Sequence, residues 1–200
     1  DFETPATGPR ARIAVIDRPR FTEWAEREVP VQGGRLALPP DLTRIAVIHR
    51  HGRAPAVPRV GFLGSWGEWR GAFATTVSHD SHNLTVFGHD PRDLAAAANA
   101  LAEAGGGMAV ARDGEVTALL PLPIAGLVSD AHLPEVAQAF RRVREALAAV
   151  VDWQPPYLVF KALVGATLAC NAGPHQTDLG IADPQAGRLL TSPILEDGFP

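Results

Sequence analysis

Met108-Ala109-Val110-Ala111-Arg112-Asp113-Gly114-Glu115-Val116-Thr117-Ala118-Leu119-Leu120 is the stretch on which the fold class depends. Two apolar runs flank Asp113-Gly114, a dipeptide that accepts the positive φ angles of a tight hairpin turn. The spacing therefore predicts two antiparallel strands joined directly, with no crossover helix between them. A sheet that starts this way is not a repeat of parallel βα units.

Working outward, Asp90-Pro91 opens a helix with a side-chain cap and a proline in the first turn. Leu94, Ala97, Ala98 and Leu101 form its apolar stripe, and Gly105-Gly106-Gly107 ends it. On the other side a second helix starts near Pro134, with Val136, Phe140, Val143, Leu147 and Val150 on its buried face, and Pro155-Pro156 breaks it. Nearer the start, Ile13–Ile16 is a short strand, and Val29 to Leu38 reads as a hairpin about Gly33-Gly34. Arg44–His49, Val60–Leu63, Gly71–Val77 and Leu84–Phe87 are further strands. Tyr157 to Cys170 is apolar and open between helix and strand, and the tail after Asn171 is loop-rich. These elements predict an α+β fold: a mixed or antiparallel sheet built from hairpins, with two main helices packed on it, and not a TIM barrel. Residues 1–11 read as a linker or fragment start, 12–52 as a strand-rich segment, and 53–200 as the main domain.

Composition narrows the function classes. The net charge of −4 over 200 residues gives no electrostatic footprint for nucleic acid. No run approaches the roughly 20 apolar residues that span a bilayer, and no secretory leader is visible, so a cytoplasmic location is expected. A single cysteine, Cys170, excludes an internal disulfide and a multi-cysteine zinc site. Its apolar surroundings predict a small buried side chain. The first residue is Asp1 and the only methionine is Met108, which suggests a piece of a longer chain.

Five of the seven histidines fall close together in sequence: His49, His51, His79, His82 and His89. His49-Arg50-His51 follows a strand, where a two-residue spacing puts both imidazoles on one face; they read as structural or interface residues, with metal ligation the weaker alternative. Metal-dependent hydrolases place His-x-His after a first barrel strand, but no eight-unit barrel follows here. The second group, Ser78-His79-Asp80-Ser81-His82-Asn83, is six polar residues between two apolar strands. It reads either as a turn whose Asp80 and Asn83 bond their own backbone, as a surface facing a ligand, or as a metal site using His79 and His82. A nucleophilic triad from Ser78, His79 and Asp80 is excluded, because neighbours on an extended segment point apart. Gly105–Gly107 ends a helix and so is no phosphate loop. Trp66 and Trp69 either form an exposed docking patch or pack within the domain.

Gly71-Ala72-Phe73-Ala74-Thr75-Thr76-Val77-Ser78-His79-Asp80-Ser81-His82-Asn83 resembles the hallmark stretch of the adenine deaminase C-terminal domain, within the amidohydrolase superfamily. Gly106 to Val110, Asp113-Gly114 and Leu120 to Ser129 match in order and spacing, and Arg12 to Gly64 resembles the family's link out of its barrel. The resemblance implies an accessory domain of an enzyme that converts adenine and water to hypoxanthine and ammonia. It implies a binuclear manganese or iron centre in an N-terminal barrel, adenine as the whole enzyme's substrate, and a homo-oligomer at full length. No catalytic residue or cofactor is expected in this chain, which would be inactive alone, and Ser78 to Asn83 are its substrate-facing candidates. A stand-alone module binding a small ligand or metal, or a structural dimerisation domain, are the other readings.

Overall fold

The computed structural model describes residues 1–19, 21–153, 163 and 165–195. Among these the order is β1 (Arg10–Asp17), β2 (Glu23–Gln32), β3 (Arg35–Leu36), β4 (Leu42–Ile48), β5 (Arg59–Gly64), β6 (Glu68–Trp69), β7 (Ala72–Thr75) and β8 (Leu84–Gly88). Then come α1 (Pro91–Glu103), β9 (Gly107–Arg112), β10 (Glu115–Pro121), α2 (Leu133–Val150) and β11 (Val151–Asp152). The chain closes on β12 (His175–Gln176), β13 (Ile181–Asp183) and β14 (Arg188–Leu190). Nine strands form one sheet in the order β10-β9-β7-β8-β4-β5-β1-β2-β3. Its neighbours pair antiparallel except β1 and β5, which meet in parallel at Ile16 and Leu63. This is the expected α+β fold with a mixed sheet, and the described residues contain no closed barrel.

The hairpin at Asp113-Gly114 forms as its turn residues require, with φ of 56° and 81°. Helix α1 starts where Asp90 accepts a hydrogen bond from the Arg92 backbone N–H at 2.8 Å. It ends as Gly105 turns left-handed and the Gly106 N–H reaches back to the Leu101 carbonyl at 2.8 Å. The stripe Leu94, Ala97, Ala98 and Leu101 is buried as expected.

Alternation along the strands gives the sheet two unlike faces. Ala46, Ala72, Ala74, Val86, Ala109 and Ala111 pack with α1, so small side chains let that helix lie close. Ile45, Phe73, Phe87 and Val110 point the other way, into a cluster with Val143, Leu147 and Val150 of α2. Each of those phenylalanines contributes roughly 1.5–3 kcal/mol through burial. On α2 the buried face is Ala139, Val143, Leu147 and Val150, while Val136 and Phe140 are only partly covered. Phe2, near the start of the chain, is buried in the α1 cluster.

One expectation, a buried Cys170, is corrected, and the choice left open for the two tryptophans is settled. Trp66 and Trp69 are 0% and 6% exposed and pack within the domain, in one cluster with Val150 and Val151 where β11 pairs with β6. The Trp69 indole N–H donates to the Trp66 carbonyl at 2.9 Å, which satisfies its polar atom inside the core. Cys170 is exposed, in a turn rather than in an apolar run's interior. The loop-rich tail also carries β12, β13 and β14, which form a small antiparallel sheet. Half of the run from Tyr157 to Cys170, residues 157–162 and 164, lies outside the described residues.

Candidate functional site

Register brings the polar motifs to one end of the large sheet. Ile48, last in β4, pairs with Leu84, first in β8, so His49-Arg50-His51 leaves the sheet beside the Ser78–Asn83 loop. Thr75, last in β7, pairs with Met108 at the start of β9, and Gly107 there pairs with Pro121 at the end of β10. The turn after β10 therefore arrives at the same end. The tail arrives too: the Gln176 side-chain amide donates to the Arg59 carbonyl at 3.1 Å, at the matching end of β5.

The loop has an inside and an outside. Ser78 is 2% exposed, and its Oγ accepts from Thr85 Oγ1 at 3.0 Å and lies 2.9 Å from Thr167 Oγ1. Asn83 is also buried, and its side-chain oxygen has no hydrogen-bond partner. His79, Asp80 and Ser81 are exposed, with the His79 imidazole beside the Asp80 carboxylate, while His82 is half-buried with Nδ1 unpartnered. The expected backbone bonds of Asp80 and Asn83 side chains are replaced by one from Ser81, whose Oγ accepts the Asn83 N–H at 3.4 Å.

The segment after β4 grips this loop by its backbone. The His51 Nε2 lies 2.9 Å from the Ser81 carbonyl, and the Arg50 Nε donates to the His82 carbonyl at 2.5 Å. Arg50 Nη2 donates to the Ala125 carbonyl at 2.6 Å, in a turn where Ile124 and Val128 pair. Burial draws the Arg50 guanidinium below its ordinary pKa, yet a guanidinium stays charged in any protein environment. Thr76 fastens the same turn, its hydroxyl donating to the Gly126 carbonyl at 2.6 Å and accepting the Gly107 N–H at 2.8 Å.

His49 is engaged on both sides. Its Nε2 accepts the Arg53 N–H at 3.2 Å, which leaves Nδ1 to donate to the Asp178 carboxylate at 3.0 Å. Its ring packs edge-on against His51, with centroids 5.6 Å apart. His79 and His82 stand with ring centroids 6.0 Å apart. Among the described residues, no group of three or more His, Cys, Asp or Glu side chains is placed to hold a metal ion. The His-x-His spacing thus serves hydrogen bonding here. A cavity of about 480 Å3 opens beside this end, bordered by Phe2, Ile48, His49, Arg50, Thr76 and Asn99. Sequence reasoning missed Arg50, Thr76 and Asp178, because their partners lie 31 to 129 residues away and no local pattern marks them.

Residues 19–188 match the family model described as the adenine deaminase C-terminal domain. Adenine deaminase 2 of Rhizobium meliloti (strain 1021) is 67% identical over 196 residues, covering 98% of this chain and 33% of that protein. The adenine deaminase of Klebsiella pneumoniae (strain 342) is 51% identical over 198 residues, again 98% of this chain and 33% of the relative. That of Moorella thermoacetica (strain ATCC 39073 / JCM 9320) is 48% identical over 150 residues, 72% of this chain and 25% of its own length. The chain thus spans about a third of the length of these curated relatives or less. With 170 consecutive residues inside the family model, from 19 to 188, the chain belongs to the adenine deaminase C-terminal domain family.

Proposed function

We propose that this chain is the C-terminal portion of an adenine deaminase, an accessory domain that completes a metal-dependent barrel and is inactive alone. The reaction of the whole enzyme is the hydrolysis of adenine to hypoxanthine and ammonia, a step of purine salvage. The observation that carries this reading is the family match over residues 19–188, together with the meeting of the matched motifs at one end of the sheet. Residues 1–11 form the connection from the preceding part, 12–52 the strand-rich lead out of the barrel, and 53–200 the accessory domain. The enzyme is a cytoplasmic homo-oligomer in this reading; among the described residues no helix is long and apolar enough to cross a membrane.

The whole enzyme's manganese or iron centre supplies the activated water. The donors described here do not fit such a group: His49 is committed at both nitrogens, His51 lies against a backbone carbonyl, and among the described residues His79 and His82 belong to no group of three ligands. What this chain supplies is the outward side of the Ser78–Asn83 loop. His79, Asp80, Ser81 and His82 offer donors and acceptors to purine ring nitrogens and close the barrel mouth against bulk water.

A chimera tests this. The N-terminal two thirds of the Rhizobium meliloti relative, joined to this chain, should deaminate adenine, while those two thirds alone and this chain alone should not. A folded chimera without activity, or turnover by the isolated chain, would overturn the assignment.

A further inference from the structure

We infer that Arg50 is a positioning residue, one guanidinium that locks the Ser78–Asn83 loop and the Ile124–Val128 turn into a single arrangement. The inference rests on the reading that this loop faces substrate. Arg50 holds carbonyls of two segments far apart in sequence, through Nε to His82 and Nη2 to Ala125. A planar fork of N–H donors can span two such acceptors at once, whereas an ammonium is a single point of charge on a flexible stem. Gly126 is shaped for this contact. Its φ is +73°, and a Cβ there would stand 2.8–2.9 Å from three guanidinium atoms. The turn's other hold is Thr76, on the carbonyl of the same Gly126.

Every bond that Arg50 makes to the loop goes to its backbone. The side chains of His79, Asp80 and Ser81 stay exposed, so the clamp determines where they stand without using them. His51 adds a second grip at the Ser81 carbonyl, one residue before the Arg50 contact. The His49-Arg50-His51 segment, read from sequence as structural or interface residues with metal ligation the weaker alternative, is on this geometry a clamp behind the polar loop.

Arg50→Ala and Arg50→Lys separate the possibilities. In the 200-residue chain, amide hydrogen exchange in 78–83 and 122–128 should quicken about tenfold or more in Arg50→Ala, with α1 and α2 unchanged. In the chimera, kcat should fall about tenfold while KM moves less, with Arg50→Lys recovering part of the loss. Unchanged exchange in 78–83 in both variants would overturn the clamp. If exchange quickens, and His79→Ala and His82→Ala lower kcat/KM while the Arg50 variants do not, the positioning role is overturned although the loop's role stands. If exchange quickens but none of the four variants affects turnover, the substrate-facing reading fails and the clamp remains as a structural fact.

Discussion

Ser78 and His79 are adjacent, yet they belong to different systems. Ser78 Oγ joins Thr85 and Thr167 in a buried hydroxyl cluster, whereas the His79 side chain is 66% exposed. Ser78→Ala should therefore lower stability by about 1–3 kcal/mol, the cost of leaving buried polar partners unmatched. In the active chimera its turnover per folded molecule should stay near normal. His79→Ala should do the reverse: kcat/KM for adenine falls about tenfold or more, equivalent to about 1.4 kcal/mol of transition-state binding. Its stability should stay within about 0.5 kcal/mol, as for other exposed side chains. His82→Ala should show the same kinetic loss. Thermal melts and steady-state kinetics on the same preparations decide the matter, and full activity in both histidine variants would end the loop's proposed role. Which loop residues point inward was not legible in the sequence. Six polar residues in a row carry no alternation, and Thr167, beside the Ser78 hydroxyl, lies 89 residues away.

Hairpins were the legible elements, because their turns carry their own chemistry. Asp113-Gly114 and Gly33-Gly34 both take up positive φ, and the strands on either side follow. The two helices were legible for the same kind of reason, from an Asp-Pro start and an apolar stripe. Strands β12, β13 and β14 were missed since runs of two or three residues are too short to show alternation. They are held by Ile181 and Leu190 in the large apolar cluster and by polar contacts around Asp183. The Asp183 carboxylate accepts the Trp24 indole N–H at 2.6 Å, lies 3.4 Å from the Arg188 guanidinium and accepts the Ala186 N–H at 3.1 Å. Burial works to raise the Asp183 pKa, but the bonds from Trp24 and Ala186 and the charge of Arg188 outweigh it and hold the group below the ordinary carboxylate value. A carboxyl whose folded pKa is depressed stabilises the fold above its unfolded pKa, and that stability is lost as pH falls through the folded value. Asp183→Asn should thus cost about 1 kcal/mol or more at neutral pH. The gap between the two proteins should narrow below about pH 4, where the unfolded chain's carboxyl titrates. Urea melts across that range measure it, and a gap that stays constant on acidification would refute the assignment.

At the scale of the whole molecule, two features argue that the sheet end needs a partner to do chemistry. Unlike helix layers cover the two faces of the sheet, small side chains under α1 and large ones under α2, so the core is closed and self-sufficient. The polar end is not closed: His79, Asp80 and Ser81 face outward. Hydrolysis of an aromatic amine needs an activated water, a proton donor for the departing nitrogen and a site that excludes solvent. This chain offers titratable groups at that end, but its described side chains do not group as ligands for an ion that could activate water. The purified chain should therefore fold, with far-ultraviolet circular dichroism showing both helix and sheet. It should form no hypoxanthine from adenine when manganese or ferrous iron is added. Mixing in the separately produced N-terminal two thirds of the Rhizobium meliloti relative distinguishes a missing partner from a damaged domain, because activity regained by mixing locates the deficit in the proposed N-terminal part. Sustained hypoxanthine and ammonia production by the folded chain alone would show that the catalytic groups lie within these residues after all.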